Sequence, residues 1–509
     1  LGDDMQMRSH ADVPMGAMWT FRETDGPTPT YVADLRGASS VAHVYGKPFT
    51  GAESMSSFGR PYVWAPRSLK PIADVELGLG VTRFCIHTSP HQPAQVRPPG
   101  VALTPHLGQT FTRNETWGEL ARPWIDYLAR SSHLLNLGRP VADIAYFYGE
   151  EGPLTAVFGD SAPDDVPPGF AWDFVSADAL WSALSVDADG RLVSRGAASY
   201  RVLYLGGRSH RMTLSTLGRI AELVAAGATV VGYPPVDSPS AADDPREFAA
   251  AVAALWANPR VITGGLADVL ADPDWIAPGL IVVHRALDGT DIYFVSNPSS
   301  APMRTGASFR AVAPGAEWWD AVTGTRASAR AAVVGTRTTV DIDLPAYGSA
   351  FLVLREAREV PTLGPPESLA EVAVTSNQPD DPGFSGTALW TGRLDVAAEW
   401  FEGSRLILRL EDVHDLAEVL INGQSAGVAW TEPFELDVTA HLTAGFNRVE
   451  IAVTNTWANR LIADATDPES ATTQLTGPIY SADAPRRPWG LRGPVTLIRR
   501  ATSTTSSAY

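Results

Sequence analysis

The sequence predicts a multidomain protein in which α/β units precede all-β units. The chain has 509 residues, which corresponds to about three or four domains of ordinary size. Short apolar segments alternate with helical patterns up to about residue 265, whereas short strand-like segments separated by Gly, Pro and Asn fill the remainder. Hydrophobic residues make up 45% and charged residues 19% of the chain, a composition typical of folded proteins.

Charge and cysteine content exclude several classes of protein and site. The formal net charge of −18 argues against a nucleic-acid or anionic-membrane partner, and no apolar run reaches the roughly 20 residues of a membrane span. Cys85 is the single cysteine, which excludes an internal disulfide and a zinc site with several cysteine ligands. The chain opens with LGDDMQMRSH, without an initiator Met or a basic segment, so we expect a processed or truncated chain. Its cellular location does not follow from the sequence.

Residues 1–138 are predicted to combine strands and helices. Three apolar segments each lead into a polar, aromatic loop and are predicted to be buried strands: residues 13–19, 39–46 and 81–88. Residues 117–135 are predicted to form a helix, because apolar side chains recur mostly at steps of three and four. Pro123 is expected to kink or split this helix, and Gly138 is expected to cap its end. Such alternation is typical of an α/β layer or barrel.

The next two regions are predicted to be separate units. Residues 139–265 contain strand-like runs and a helix–glycine–strand pattern, which is typical of an open, doubly wound α/β domain of the flavodoxin-like kind. Residues 266–358 are predicted to form a small β-sandwich. The strand-like runs within residues 266–358 are residues 280–287, 291–297, 338–344 and 349–355.

The C-terminal part is predicted to be all-β. Residues 359–371 are rich in Pro and Glu and are predicted to be a linker. Residues 372–500 are predicted to form a galactose-binding-like jelly-roll β-sandwich, with Asn422-Gly423 as a strong hairpin signal. Residues 501–509 are predicted to be a disordered tail.

The first region also holds the residues best suited to chemistry. The chain contains no phosphate loop, GxSxG elbow, HExxH or GxGxxG motif. Glu53 follows a strand-like segment and precedes a Ser/Gly loop, and carboxylates beside His, Tyr and Trp at strand ends suit sugar chemistry. The residues that accompany Glu53 in this region are His43, Tyr45, Lys47, Phe58, Tyr62, Trp64, His87, His91, Arg113, Asn114 and Trp117.

The order of several motifs resembles glycoside hydrolase family 106, the α-L-rhamnosidases. The motifs are AHVYGK…GAES, VTRFCIHTSPHQP, RNETW…YLARSSHLL, VADIAYFYGEEGP, DIYFVSN and NTWANRLIAD, so the resemblance spans most of the chain. It implies a (β/α)8 catalytic barrel with accessory β domains, an inverting mechanism with two glutamates, and calcium near the sugar. It also implies a carbohydrate partner, a rhamnose-containing glycan or glycoside, for which a secreted or periplasmic bacterial location would be suitable.

The resemblance gives roles to particular residues. A barrel needs about 250 residues, so residues 1–138 would supply its last three strands, and the chain would lack the N-terminal half. Glu53 would then be the general base at the end of the seventh strand, and the general acid would lie upstream of Leu1. Ala17 stands where we expect Glu in many relatives, which puts the substrate and the activity in question. The residues expected to bind substrate are Trp19, His43, Tyr45, His87, His91, Arg113 and Trp117.

Other interpretations of these residues and of the whole chain stay open. Glu53 could be a salt-bridged surface carboxylate, His43 and Trp117 could belong to the core, and Asn114 could be only a helix N-cap. The chain could also be a non-catalytic carbohydrate-binding protein or an inactive fragment of an enzyme, with residues 372–500 as the binding unit. In a third interpretation the β domains are scaffold without affinity for sugar.

Overall fold

The computed structural model of the protein combines helices with several β-sheets. In the part that it describes, no helix is both long enough and apolar enough to cross a membrane. The described residues are 2–22, 24–58, 62–104, 107, 110–159, 161–475, 477 and 479–506.

The N-terminal region forms a three-stranded parallel sheet in the order β1-β2-β3, with helices packed on one of its faces. Met18 and Ala52 of this sheet are fully buried against Leu69 and Leu77 of α3. The elements of this region are α1 (Asp4–Ser9), β1 (Met15–Trp19), α2 (Pro29–Tyr45), β2 (Gly51–Ser56), α3 (Pro66–Gly78), β3 (Arg83–Ile86), β4 (Pro99–Gly100) and α4 (Arg122–Leu135).

The predicted strands 13–19 and 81–88 are confirmed by β1 and β3, but the strand predicted at 39–46 is wrong. That segment is the last part of helix α2, and Glu53 lies within the strand that follows it, β2. Short apolar runs have the same pattern in a buried strand and in a helix that is covered on most sides. Small residues such as Ala38 and Ser40 let α2 lie buried between β1 and the neighbouring sheet.

Helix α4 confirms the helix predicted before Gly138, and next to Pro123 the predicted helical segment is split rather than kinked. A short 3-10 helix, Gly118–Leu120, precedes α4, and Pro123 lies in the first turn of α4. Proline is well tolerated there because the first helical N–H groups have no partner within the helix.

The second region contains a five-stranded parallel sheet in the order β13-β12-β11-β6-β7. A small antiparallel sheet of β8, β9 and β10 lies beside it, and β5 pairs with a strand of the next region. The elements are β5 (Arg139–Pro140), β6 (Ile144–Phe147), α5 (Thr155–Phe158), β7 (Trp172–Val175), α6 (Ala177–Ser182), β8 (Leu184–Val186), β9 (Leu192–Ser194), β10 (Ser199–Tyr200), β11 (Val202–Leu205), α7 (Leu214–Ala225), β12 (Val230–Gly232), α8 (Pro245–Trp256) and β13 (Val261–Ile262).

The third region consists of two sheets, β14-β17-β21-β20 and β19-β18-β22-β16-β15-β5. Alternate residues of β16 serve two cores, since Tyr293 and Val295 pack between the two sheets whereas Ile292 and Phe294 pack against α3 and α4. The elements are β14 (Trp275–Ile276), β15 (Ile281–Leu287), β16 (Thr290–Ser296), β17 (Met303–Phe309), β18 (Gly315–Trp319), β19 (Arg326–Ser328), β20 (Ala331–Val334), β21 (Arg337–Leu344) and β22 (Ser349–Arg355).

The fourth region also has two sheets with a shared apolar core. The hairpin predicted at Asn422-Gly423 is confirmed, since both residues have positive φ (54° and 81°) between β28 and β29. The elements are β23 (Glu359–Leu363), β24 (Glu367–Glu371), β25 (Val374–Ser376), β26 (Thr387–Val396), β27 (Ser404–His414), β28 (Leu416–Ile421), β29 (Gln424–Ala429), β30 (Glu435–Asp437), β31 (Gly445–Thr454), α9 (Ala458–Thr466), β32 (Gln474–Leu475) and β33 (Gly490–Ser506).

Two predictions about the ends of this region are wrong. The predicted linker 359–371 forms β23 and β24, and both pair with β33. The beginning of the predicted disordered tail, residues 501–506, is the end of β33, while residues 507–509 lie outside the described residues. Proline in this segment suggested a linker, but Pro361 is accommodated in β23, an edge strand.

Candidate active site

Glu53 lies in the central strand of the three-stranded parallel sheet. The pairing register aligns Ala17 of β1, Glu53 of β2 and Cys85 of β3 in one row across the sheet. Side chains alternate between the two faces of a strand, and the fully buried Ser54 faces the helices, where its hydroxyl contacts Glu76. Glu53 therefore projects from the opposite face, on which Ala17 is partly exposed and Cys85 is exposed.

The carboxylate of Glu53 is oriented by a neighbour on its own strand. The hydroxyl of Ser56 donates a hydrogen bond of 2.5 Å to Oε1 of Glu53. Between them, Met55 has a φ of +66°, and the register with β1 shifts so that Trp19 pairs with Ser56. A non-glycine residue in this conformation is uncommon and costs free energy. The irregular end of β2 brings the hydroxyl and the carboxylate together.

Aromatic side chains lie beside this carboxylate. The ring of Trp19 is stacked between Tyr31 and Phe58, at centroid distances of 5.8 and 6.3 Å. Burial, followed by the negative charges of Glu53 and Asp34, raises the pKa of Tyr31. The phenol therefore stays protonated at neutral pH and is close enough to sense the charge of Glu53.

A cleft of about 750 Å³ lies just beyond the carboxyl ends of β1 and β2, where Thr20 and Phe58 border it, and Glu53 itself is not one of its lining residues. It carries aromatic side chains together with cationic and anionic groups, and Arg487 contributes to it from the fourth region. Arg487 is held by Asp415, whose two oxygens accept hydrogen bonds of 2.9 and 2.7 Å. The lining residues are Thr20, Phe21, Arg22, Asp25, Phe58, Val63, Trp64, Ser68 and Arg487. A cleft of this size with aromatic walls and polar groups can hold a sugar-sized ligand.

Comparisons with known proteins find matches over most of the chain. A family model described as alpha-L-rhamnosidase, glycoside hydrolase family 106, matches residues 1–331. The chain belongs to glycoside hydrolase family 106. A second model, the sugar-binding domain of glycosyl hydrolases family 2, matches residues 367–473.

Two relatives of this chain are longer than the chain itself. The structure of a rhamnosidase from Novosphingobium sp. PP1Y is 40% identical with a TM-score of 0.91, and the match covers 98% of this chain and 52% of that one. A Formosa agariphila protein, named as a candidate beta-glucuronidase, is 32% identical over 337 residues, which are 64% of this chain and 28% of that protein. The chain thus spans about half the length of the rhamnosidase and less of the second relative.

The loop after β3 carries three of the residues that the family 106 resemblance selected. His87 lies at the end of the strand, and its backbone N–H donates a hydrogen bond of 3.0 Å to the carbonyl of Ser54, next to Glu53. Its Nδ1 is buried and has no hydrogen-bond partner among the described residues. His91 and Arg113 are exposed, and the Arg113 guanidinium donates to the carbonyl of Gln92 at 2.8 Å. The structure thus brings His87 beside the Glu53 strand, whereas Arg113 anchors its own loop.

Two of the predicted binding residues lie elsewhere in this family 106 chain. His43 and Tyr45 are in the last turn of α2, which precedes β2 and so lies at the amino end of the strands. The Nδ1 atom of His43 is 2.8 Å from Asp173, and the hydroxyl of Tyr45 donates to Asp178 at 2.8 Å. Both side chains therefore fasten α2 to the second region and do not face Glu53. The strand predicted at 39–46 had placed them wrongly at a carboxyl end.

The assignment of Trp117 to the substrate is also corrected. Its side chain is fully buried, and its ring lies 5.3 Å from that of Phe111 and 5.9 Å from that of Trp124. A residue without exposed surface packs the core and cannot contact a sugar. Trp19, by contrast, is partly exposed beside the cleft and stays a candidate.

Several residues near Glu53 or in the neighbouring cleft have no signal in the sequence. Tyr31 lies on a helix whose second half had been predicted as a strand, and Ser56 reaches Glu53 only because of the irregular end of β2. Arg487 comes from a region more than 400 residues away along the chain, and only the tertiary structure brings it to the cleft.

The described residues contain no cluster of side chains suited to a metal ion. Among them, no group of three or more His, Cys, Asp or Glu side chains lies close enough together to hold an ion. The calcium that family membership suggests therefore has no cluster of such ligands in the described part of the chain.

Proposed function

We propose that this chain is part of an inverting α-L-rhamnosidase that removes terminal rhamnose from glycans or glycosides, with Glu53 as the general base. The observation that carries this proposal is the position of Glu53, which projects from the uncovered face of a parallel sheet, oriented by Ser56 and bordered by the Trp19 aromatic stack. Family 106 membership and the rhamnosidase relative support the substrate class.

The proposed chemistry uses Glu53 as a proton acceptor. The Glu53 carboxylate takes a proton from a water molecule as that water attacks the anomeric carbon, and the glycosidic bond breaks on the opposite face of the sugar. A second carboxylic acid protonates the departing oxygen, and in inverting enzymes the two groups are about 6.5–9.5 Å apart. Tyr31 and Trp19 border the sugar, while the Ser56 hydrogen bond fixes the orientation of the base.

We propose that β1, β2 and β3 are the last three strands of a (β/α)8 barrel. Their parallel order, the helices on one face and the exposed row on the other support this assignment. In this proposal the other strands and the general acid lie outside the present sequence, since the chain matches about half of the rhamnosidase relative. Ala17 pairs with Glu53 in the register, at a position where we expected a glutamate. In this proposal another polar group makes the sugar contact that this glutamate would make.

The remaining regions are assigned in the same way. Residues 139–265 form a flavodoxin-like domain, and residues 266–358 form a small β-sandwich. Residues 372–500 form a galactose-binding-like jelly roll, to which the strands of 359–371 belong. Calcium stays an expectation from the family alone.

The decisive experiment measures hydrolysis of an aryl α-L-rhamnoside. It compares this chain with a version extended upstream to complete a barrel of about 250 residues, each with Glu53 or Glu53→Gln. We expect activity in the extended form and a loss of about 10²–10⁴-fold in kcat with Glu53→Gln, the usual contribution of a general base. Glu119→Gln, an exposed glutamate on the neighbouring loop, is the matched control and should keep full activity.

Two further readouts test the role of Glu53 itself. The first product should be the β anomer of rhamnose, since the mechanism inverts the anomeric centre. Azide should restore bond cleavage to Glu53→Ala and yield β-rhamnosyl azide, because azide attacks without giving up a proton. An α product, or full activity of Glu53→Gln, would contradict the assignment.

A second function is favoured by the match to a family 2 sugar-binding domain over residues 367–473. In this case the chain binds carbohydrate without cleaving it. Calorimetric titration with rhamnose and other sugars distinguishes the two functions. Affinity that survives Glu53→Gln, together with no hydrolysis by the extended form, would favour the binding function.

A further inference from the structure

A second cavity lies at the junction of three regions, away from Glu53. It has a volume of about 230 Å³ and is bordered by α2, by β7 of the parallel sheet and by β15 of the third region. We call it the junction cavity, and its polar lining residues are Arg36, His43, Thr82, Asp173, Arg285 and His284, of which His284 is paired with Asp274 and Asp291 outside the lining. His43 lies at the amino end of the strands, and the junction cavity shares no lining residue with the cleft beyond the carboxyl ends of β1 and β2.

Two guanidinium groups border the junction cavity without a full set of partners. The half-buried Arg36 lies over the ring of Trp172, with 5.0 Å from its Cζ to the ring centroid, and its guanidinium makes no hydrogen bond or ion pair with the described residues. Arg285 is 9% exposed and donates to the carbonyls of Leu137 and Gly138, both at 2.9 Å, but no carboxylate of the described chain pairs with it. Burial lowers the pKa of Arg36, and it lowers the pKa of Arg285 to about 10.

The negative charge in the junction cavity is too small to balance these cations. Among its lining residues, Asp173 is the one carboxylate, and it is 2% exposed. One oxygen of Asp173 lies 2.8 Å from Nδ1 of His43, and the other accepts a hydrogen bond of 3.0 Å from the hydroxyl of Tyr200. A single occupied carboxylate thus faces two guanidiniums. Buried charges in proteins are normally paired, so the balance lacks one anion.

We propose that the junction cavity binds a small oxyanion, a phosphate or a carboxylate, on the fork of Arg36 and on the N–H groups of Arg285 that its bonds to the Leu137 and Gly138 carbonyls leave available. The planar guanidinium presents parallel N–H donors that match two oxygens of such an anion. Stacking on Trp172 holds the plane of Arg36 in place while its N–H groups stay available. The volume corresponds to several water molecules at about 30 Å³ each, and it is below the roughly 300 Å³ of sites for larger organic ligands. An oligosaccharide is therefore excluded.

The test measures the thermal midpoint of the 509-residue chain in phosphate, acetate and chloride buffers of equal ionic strength and pH. An anion that binds only the folded chain raises the midpoint by mass action. We expect a rise of several degrees in phosphate or in acetate relative to chloride, and the anion that gives the larger rise identifies the source. Equal midpoints in all three buffers would overturn the proposal.

Variants locate the effect. Arg36→Met keeps an unbranched apolar side chain against Trp172 and should abolish the oxyanion-dependent rise. Arg304→Met, at a side chain that is 82% exposed, is the control and should keep it. If Arg36→Met does not fold, Arg36→Lys is used instead. It retains the positive charge but lacks the two parallel N–H donors of a guanidinium, and it should at least halve the oxyanion-dependent rise of the thermal midpoint. A rise that is unchanged in the folded Arg36 variant would overturn the proposal. Because Glu53 takes no part, this result is independent of the rhamnosidase assay.

Discussion

At the scale of single residues, Glu115 shows how burial alone sets the behaviour of a carboxyl group. It lies in the loop after β3, is 5% exposed, and its Oε2 has no partner among the described residues. Burial raises its pKa to about 8; hydrogen bonds from Thr116 oppose this shift, and the charge of Asp415 adds to it. In an unfolded chain the same group titrates near 4.3. The folded protein therefore holds this proton at neutral pH, where the unfolded chain releases it.

The prediction concerns Glu115→Gln, which mimics the protonated carboxyl in shape. Because the folded pKa is the higher one, the stability associated with Glu115 is complete below about pH 4.3 and is lost as the pH rises towards 8. The thermal midpoint of Glu115→Gln, relative to the unchanged protein, should therefore rise by several degrees between pH 5 and pH 8. Scanning calorimetry at a series of pH values measures it. The exposed Glu119→Gln serves as control, and a parallel pH dependence in both variants would contradict the prediction.

Some residues of the candidate site could be predicted from the sequence, but their spatial arrangement could not. Glu53 and His87 were selected because they belong to recognisable motifs, and the structure brings them to neighbouring strands. His43 was misplaced because a buried helix of small residues has the pattern of a strand. Ser56 and Tyr31 could not be selected, since their relation to Glu53 depends on the irregular strand end and on the packing of α2.

At the scale of elements, a buried polar network joins the helices of the first region to the sheet of the third. Lys70 of α3 is 1% exposed, and its ammonium donates to Asp74 at 2.8 Å, to the carbonyl of Tyr347 at 2.7 Å and to Ser349 at 2.8 Å. The hydroxyl of Tyr127 on α4 also donates to Asp74. Every charge in this network has a partner, which is the condition under which buried ions are tolerated.

The prediction is that Lys70→Met is strongly destabilising. Removing the ammonium leaves the Asp74 carboxylate buried without its cation, and breaking such a pair typically costs about 3–5 kcal/mol of unfolding free energy. Chemical denaturation followed by tryptophan fluorescence measures the loss. Lys47→Met is the matched control, because Lys47 is the only other lysine of the chain, and it should change the free energy by less than about 0.5 kcal/mol.

A double variant tests whether the network is the cause. If the unpaired carboxylate is responsible, adding Asp74→Asn to Lys70→Met should recover part of the lost free energy, since the remaining buried groups are neutral. A Lys70→Met protein as stable as Lys47→Met would show that the network does not contribute to stability.

Elements with a clear local signal were predicted well, and those that depend on pairing were not. The strands of the third and fourth regions have strong alternation and defined turns, such as the hairpin at Asn422-Gly423. The strands β23 and β24 have little local signal, because they exist through pairing with β33. Contacts between residues more than 100 positions apart in the chain leave no periodicity in the sequence.

At the scale of the whole molecule, one apolar core crosses the predicted domain boundaries. It begins with Met18 of β1, includes Trp124 of α4, and continues through Phe294 and Phe351 of the third region to Trp430 of the fourth. Residues 1–138 alone would expose the apolar faces that Phe294 and Trp430 cover. The core of the fourth region, by contrast, consists of residues between Val372 and Leu497.

These two cores predict opposite behaviour for two isolated fragments. Residues 1–138 should show no sharp thermal transition, because their core is incomplete and the edges of the β1–β3 sheet are open. Residues 359–506 should unfold in a single sigmoidal transition, since their core and its covering strands are present. Circular dichroism during heating measures both.

The same experiment tests the corrected boundary of the fourth region. A fragment of residues 372–500 lacks β23, β24 and the end of β33, so it loses main-chain hydrogen bonds along one sheet and should melt several degrees below the 359–506 fragment. Equal midpoints would show that the strands of 359–371 do not contribute to the stability of the fourth region, as the linker prediction implied.

A sharp transition for residues 1–138 would mean that the three-stranded sheet is stable without the other regions, and it would remove the main structural argument that this sheet belongs to a larger barrel.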